Sequence, residues 1–149
     1  MHKATGHPSS CRPLSKCFSD ALALRQDPHA CADLIRGRLD VSFYYDLALL
    51  VGLSPKRLFS LLGASLATQR RWREAKQLTM SESDYAFRQA LVIQDALGLF
   101  EGNSEATLNW LTKPNIALGS ATPASLLSTF VGMSTVESLI WKVENGVYL

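Results

Sequence analysis

Residues 54–76, SPKRLFSLLGASLATQRRWREAK, restrict the fold of this chain more tightly than any other stretch. Ser54 followed by Pro55 reads as a helix start. The serine hydroxyl can accept an orphan backbone N–H, and proline at the first helical position gives up no hydrogen bond. Leu58, Leu61 and Leu62 supply a buried edge, Gly63 stops the helix, and Ser65 opens a second one running to about Lys76. Two short helices across a glycine turn, the second polar and basic, have the grammar of a helix-turn-helix.

The faces of the second helix sharpen this reading. At ~100° per residue, Thr68, Trp72 and Ala75 share one side, and Leu66, Gln69, Arg70, Arg73 and Lys76 share the other. Trp72 is therefore expected to pack on the first helix of the pair and on Leu47 or Leu50, with Gln69, Arg70 and Arg73 pointing outward. Arginine forks match guanine, glutamine amides match adenine, and any cation attracts phosphate. Ser54 and Ser65, with the free N–H groups beside them, are candidate phosphate holders. Arg71 lies off this face and is expected to pair with Glu74 or to touch phosphate. The candidate DNA-binding set is thus Ser54, Ser65, Gln69, Arg70, Arg71, Arg73 and Lys76. A single helix-turn-helix binds weakly, so a homodimer on a palindrome is expected. Phe43, Tyr44, Tyr45 or the apolar face of a helix over 81–101 are candidates for its interface.

The rest of the chain also reads as helix, so the expected fold class is all-α. Residues 1–17, rich in His, Ser, Pro and Gly, are expected to form a flexible arm. Helices are predicted around Phe18–Leu24 and Ala32–Ile35, split by Asp27-Pro28, and from Val41 to Leu50 before Gly52. Ser81 and Asp84 are expected to open a long helix that closes at Gly102-Asn103, with Asn103 capping the next. Thr122-Pro123 is expected to start a short helix running through Phe130 and stopped by Gly132. Ser134 and Glu137 then read as a capping box for a final helix ending at Gly146. Trp110, Leu111, Leu118, Leu127, Phe130 and Trp141 are expected to form a small core. The organisation expected is an arm over 1–17, a DNA-binding and dimerising region over 18–95, and a separate module over 96–149.

Composition excludes several classes. An apolar share of 47% is too high for a disordered chain, and the longest apolar run, Leu47 to Leu53, is far short of the ~18 residues of a membrane span. No basic flank, apolar stretch and small-residue cleavage site follow one another at the start, and Cys11, Cys17 and Cys31 make no disulfide framework, so a bacterial cytoplasmic location is expected. No catalytic constellation, phosphate loop or dinucleotide fingerprint is present; no cofactor is expected, and the chain does not read as an enzyme. His2, His7 and Cys11 fit no structural zinc spacing, so no metal is expected.

The formal net charge of +2 conceals a division. Residues 1–53 carry +1, residues 54–88 carry +4 and residues 89–149 carry −3. A basic middle beside an acidic end suggests two differently charged partners.

The acidic end carries a more specific pattern. It runs Ala106-Thr-Leu-Asn-Trp110-Leu111, then Pro114-Asn115-Ile-Ala117-Leu118-Gly119, then Thr122-Pro123, Leu126-Leu127, Thr129, Gly132, Val136, Leu139, Glu144 and Gly146. Over residues 98–149 this resembles the toxin-binding domain of the Xre/MbcA/ParS-type antitoxins. The stretch from Val41 to Val92 resembles the accompanying Xre-type helix-turn-helix, through Leu62-Gly63-Ala-Ser65, Thr68, Arg71, Leu78, Glu82-Ser83-Asp84 and Arg88. Gln69, Trp72, Tyr85 and Ser120 depart from the family pattern.

The resemblance implies an antitoxin of a type II toxin–antitoxin module. Its partner would be a RES-domain toxin that consumes NAD⁺, and its DNA target the operator of its own operon. Candidate toxin-binding residues are Trp110, Asn115, Glu144, Val147, Tyr148 and Leu149. The apolar tail is expected to enter the toxin's cleft, with Glu144 and the carboxylate after Leu149 facing basic residues there. A stand-alone helix-turn-helix regulator with a C-terminal protein-interaction domain stays open as an alternative, as does an adaptor whose helix-turn-helix has degenerated at Gln69 and Trp72.

Overall fold

A computed structural model describes residues 14–147. Among these the chain is all-α, with eight α-helices: α1 (Lys16–Ala23), α2 (Pro28–Arg36), α3 (Ser42–Val51), α4 (Pro55–Leu61), α5 (Leu66–Glu74), α6 (Met80–Leu99), α7 (Ser104–Thr112) and α8 (Phe130–Glu144). Short 3₁₀ turns follow α1 and punctuate the segment between α7 and α8. The only extended pairings among the described residues are isolated bridges, Asp40 with Gln77 and Asn115 with Ala121.

Most starts follow local capping chemistry. Ser15, Asp27, Ser54, Ser65 and Asn103 each accept a backbone N–H from the first turn of the helix that follows. α1 begins at Lys16, so Lys16 and Cys17, the last two residues of the expected N-terminal arm, are helical; residues 1–13 of that arm lie outside the described residues. Ser15 also donates to the buried Asp46 carboxylate (2.6 Å), which fixes the start of α1 against α3.

α6 is the axis of the fold. Ala86, Ala90, Val92, Ile93 and Ala96 along it have no exposed surface, and α1, α2, α3, α7 and α8 all lie against it. One continuous apolar cluster extends from Phe18 in α1 to Ile140 in α8. α6 itself runs through residues 95–96, so the basic and acidic parts of the sequence share a helix and a core.

Three expected boundaries move. The long helix is opened by Thr79 rather than by Ser81 and Asp84: the Thr79 hydroxyl accepts from Glu82 N (3.1 Å), and Glu82 accepts from Thr79 N (2.9 Å), a complete capping box. No α-helix follows Thr122-Pro123. A 3₁₀ turn over Ala124–Ser128 gives way to extended Thr129, whose hydroxyl accepts from Gly132 N (2.9 Å) and starts α8. Ser134 and Glu137 therefore lie inside α8 and cap nothing; both reach across to Arg88 of α6.

Gly132 is likewise inside α8, not at a stop. Its reason is steric: a Cβ at this position would sit 1.9 Å from the Leu126 carbonyl oxygen and 2.8 Å from its carbon. The 3₁₀ turn can press against α8 only because that side chain is absent. Glycine to alanine inside a helix ordinarily stabilises by about 1 kcal/mol. Here the backbone collision reverses the sign, and Gly132→Ala is expected to cost about 2 kcal/mol, a fall in Tm of roughly 4–8 °C. Thermal unfolding followed by circular dichroism measures it, and a Tm at or above that of the parent chain would refute the packing account.

Candidate functional site

α4, the turn at Gly63 and α5 form a helix-turn-helix. Gly63 adopts a φ of +76°, the left-handed conformation that glycine takes without strain, and Ala64 N closes the turn on Phe59 O (2.9 Å). Both candidate phosphate-holding serines act as caps. Ser54 Oγ accepts from Arg57 N (3.3 Å); Ser65 Oγ accepts from Thr68 N (3.1 Å) and donates to the Thr68 hydroxyl (2.9 Å).

The inner face of α5 rests on aromatic rings. Trp72 stacks on Tyr44 of α3 with 4.8 Å between ring centroids and tilts against Phe59 of α4 at 5.2 Å. Phe59 belongs to the first helix of the pair, where a contact was expected, and Tyr44 adds a ring from α3. Phe43 and Tyr44 are both buried inside the chain, which removes them as dimer contacts; Tyr45 keeps partial exposure.

Gln69 also turns inward, contrary to the outward position expected from the helical wheel. It is 7% exposed, and its Nε2 donates to Ala64 O (2.9 Å), closing the turn from the side chain. It sits at the edge of the wheel's two faces, and the carbonyl exposed by the tight turn captures its amide. On the outer face Arg70 and Arg73 are exposed and make no ion pair with any described residue, as do Lys56 and Arg57 of α4. Lys76 falls beyond the end of α5; its carbonyl accepts from Val41 N (2.8 Å) and its side chain is exposed.

Arg71 pairs with Glu82 and not with Glu74. It forms a two-pronged pair with Glu82 at the start of α6, and Glu82 also accepts from the Trp72 indole N–H (2.9 Å). Glu82 thus holds α5 by two successive side chains while capping α6. The Arg71 guanidinium above all, and then the Thr79 and Trp72 donors, hold its carboxyl well down, at about 2, against the opposing effect of partial burial. Behind this clasp Tyr44 donates to Gln89 Oε1 (2.9 Å), and Gln89 Nε2 donates to Leu127 O (2.8 Å). Burial first, then the nearby Glu82 charge, pushes the Tyr44 hydroxyl far above its usual range, so it stays a donor.

The described candidate toxin-binding residues stand on separate elements: α7, the loop after it, and the end of α8 and beyond. Trp110 is half-buried and tilted against Phe100 (6.3 Å). Asn115 organises the loop after α7: its side chain accepts from Ala117 N (3.0 Å) and its backbone pairs with Ala121. Glu144 ends α8 and is exposed, Val147 is 43% exposed, and Tyr148 and Leu149 lie outside the described residues. Of the expected small core, Leu111 and Leu127 are fully buried and Leu118 partly so; Phe130 stacks on Tyr85 of α6 at 4.1 Å under the Arg88 guanidinium. Trp141 is not core. It is 59% exposed on the outer side of α8, because Met133, Val136 and Ile140 already fill the side facing α6.

Among the described residues no group of three or more His, Cys, Asp or Glu is placed to hold a metal ion, and no helix is long and apolar enough to cross a membrane. His2, His7 and Cys11 lie outside the described residues.

Comparison with known proteins bears on the second half. Residues 96–146 match the family model of the antitoxin Xre/MbcA/ParS C-terminal toxin-binding domain. The chain is similar to proteins named antitoxin Xre from three bacteria. It is 34% identical to that of Photorhabdus laumondii over 48% of both chains. It is 35% identical to that of Yersinia enterocolitica over 54% of both. It is 33% identical to that of Pseudomonas putida over 46% of this chain and 43% of the relative. The chain spans about half the length of the curated relatives it matches.

The Glu82 clasp has a measurable pH signature. Its folded carboxyl titrates at about 2, below the unfolded side chain at about 4.3, so the stability it contributes is complete above the unfolded value and is lost as the pH falls toward 2. Glu82→Gln is expected to cost ~2 kcal/mol at neutral pH, through loss of charge-assisted hydrogen bonds. The gap between parent and variant should narrow between pH 5 and pH 2. Urea unfolding across that range measures it, and a gap independent of pH would refute the assignment.

Proposed function

We propose that this chain is the antitoxin of a type II toxin–antitoxin module. Its C-terminal part binds and neutralises a protein toxin, and its helix-turn-helix binds the operator of its own operon. The observation that carries the reading is the match of residues 96–146 to a toxin-binding domain in a chain whose middle folds as a helix-turn-helix, with a basic face that makes no ion pair among the described residues. The three similar proteins carry the name antitoxin Xre, which supports the same reading. The toxin we infer is a RES-domain protein that consumes NAD⁺, and the operator complex a homodimer within a larger assembly.

The toxin contact is assigned to the end of α8 and the residues beyond it. Glu144 and Val147 are exposed there, and Tyr148 and Leu149 follow. The Glu144 carboxylate suits a cleft built for an anionic substrate, and the apolar residues 147–149 suit its walls. Trp110 and Asn115 act as supports: the first packs on Phe100, and the second shapes the loop after α7.

On the DNA side Arg70 and Arg73 are assigned to the major groove, with Lys76, Ser54 and Ser65 near phosphate. Gln69 and Arg71 act indirectly, by fixing the turn and clasping α5 to α6.

Co-expression with the product of the adjacent gene, followed by mass measurement, tests the partnership. A stable complex and loss of the partner's NAD⁺-consuming activity are expected; promoter binding without any complex would favour a stand-alone regulator. Arg70→Ala with Arg73→Ala should weaken promoter binding about 100-fold while leaving the melting temperature in place. An unchanged gel shift would overturn the role of α5. Removing residues 147–149 should leave DNA binding intact and abolish protection of cells from the toxin; full protection would exclude the tail as the inhibitory element.

A further inference from the structure

We propose that Leu66, the first residue of α5, reads sequence by packing against the 5-methyl group of a thymine in the major groove. This deepens, and rests on, the reading of α5 as a DNA recognition helix. Leu66 is 74% exposed, although its neighbours on the inner face, Gln69 and Trp72, are buried. Its side chain lies outside the apolar core. It stands one helical turn before Arg70 and two before Arg73, so an apolar group and two unpaired guanidinium groups form one line along the outside of α5.

Position and chemistry narrow what this line can meet. The N-terminal end of a recognition helix is the part that approaches base edges. Leu66 follows the Ser65 cap directly, and the bond from Thr68 N to Ser65 Oγ sets its first turn. Gln69, the side chain on α5 with the chemistry to read adenine, is turned away to Ala64 O. Every base feature in the major groove is a polar donor or acceptor except one, the thymine methyl, and an exposed leucine matches only that. A cleft of about 510 Å³ beside Leu66 is lined by the apolar Tyr45, Pro55 and Phe59, by Ser54 and Gln69, and by the cations Lys56 and Arg73. The methyl group thus meets an apolar wall while the cations face phosphate.

Uracil differs from thymine only by the missing methyl, which gives a direct test. The probe is duplex DNA from the region immediately upstream of the gene for this chain. It is footprinted with the full chain and then resynthesised with uracil replacing each protected thymine in turn. The parent chain should lose about fourfold in affinity at one thymine per half-site, the value of one buried methyl group. Leu66→Ala should bind the unmodified duplex about fourfold more weakly and be indifferent to that uracil. Leu66→Met, which keeps an apolar side chain, should retain the uracil effect. Because the side chain is exposed and alanine favours helix, melting temperatures should be unchanged. A parent chain indifferent to every uracil, or a Leu66→Ala variant with the full uracil effect, would overturn the proposal. Absence of any salt-dependent binding by the parent chain is a different failure: it removes the DNA reading of α5, and this contact with it.

Discussion

The placement of α5 depends on Glu82. A nine-residue helix with arginines on its outer side has little stability of its own and takes its orientation from what it rests on. Trp72 supplies the apolar seat, stacked on Tyr44 and Phe59, but a ring stack alone leaves the helix free to slide. Glu82 removes that freedom, since its carboxylate binds the indole N–H and the Arg71 guanidinium from a position fixed by the capping box of α6. One carboxylate thereby sets the start of the longest helix and the attitude of the one we assign to DNA. This arrangement also explains why a residue as basic as Arg71 is turned away from the outer face of α5.

The same frame extends to the C-terminal part without a linker. Tyr44, which supports Trp72, donates to Gln89, and Gln89 holds the Leu127 carbonyl in the 3₁₀ turn that Gly132 allows to approach α8. Farther along, Tyr85 and Arg88 of α6 grip Phe130 and Glu137 of α8. Two parts with opposite charge therefore share α6 as a common wall, and the outer faces of α5 and α8 are fixed relative to one another by buried contacts.

What the sequence made legible was local. Caps at Ser54, Ser65 and Asn103, the turn at Gly63 and the inward side of Trp72 follow from residue chemistry within a few positions. The Thr79–Glu82 box was equally local, yet Ser81 and Asp84 beside it offer a competing start, and only Thr79 has the extended backbone of a cap. Ser134 with Glu137 failed for the same reason in reverse: Thr129 starts the helix earlier, and the pair meets Arg88 instead. Gln69, Trp141 and Gly132 were beyond reach, because each depends on a neighbour distant in sequence or on a turn of uncommon geometry. Trp141 lies one position past Ile140, and that 100° decides between core and solvent.

Charge is sorted by the same geometry. Of the seven cations in residues 54–88, Arg71 is taken up by Glu82, and Arg88 by Glu137 and the Phe130 ring. Lys56, Arg57, Arg70, Arg73 and Lys76 remain, all exposed and on or beside α4 and α5. In the acidic part Asp95 is held by both arms of Arg25, and Glu137 by Arg88, while Glu101, Glu105 and Glu144 stay exposed. Of these pairs only Arg88 with Glu137 joins the basic stretch to the acidic one, and five exposed cations are left on or beside α4 and α5. The unpaired positive charge among the described residues is therefore concentrated along the helix-turn-helix, a concentration that a net charge of +2 hides. At about 8 Å of screening in physiological salt, this basic surface presents its own sign to an approaching partner.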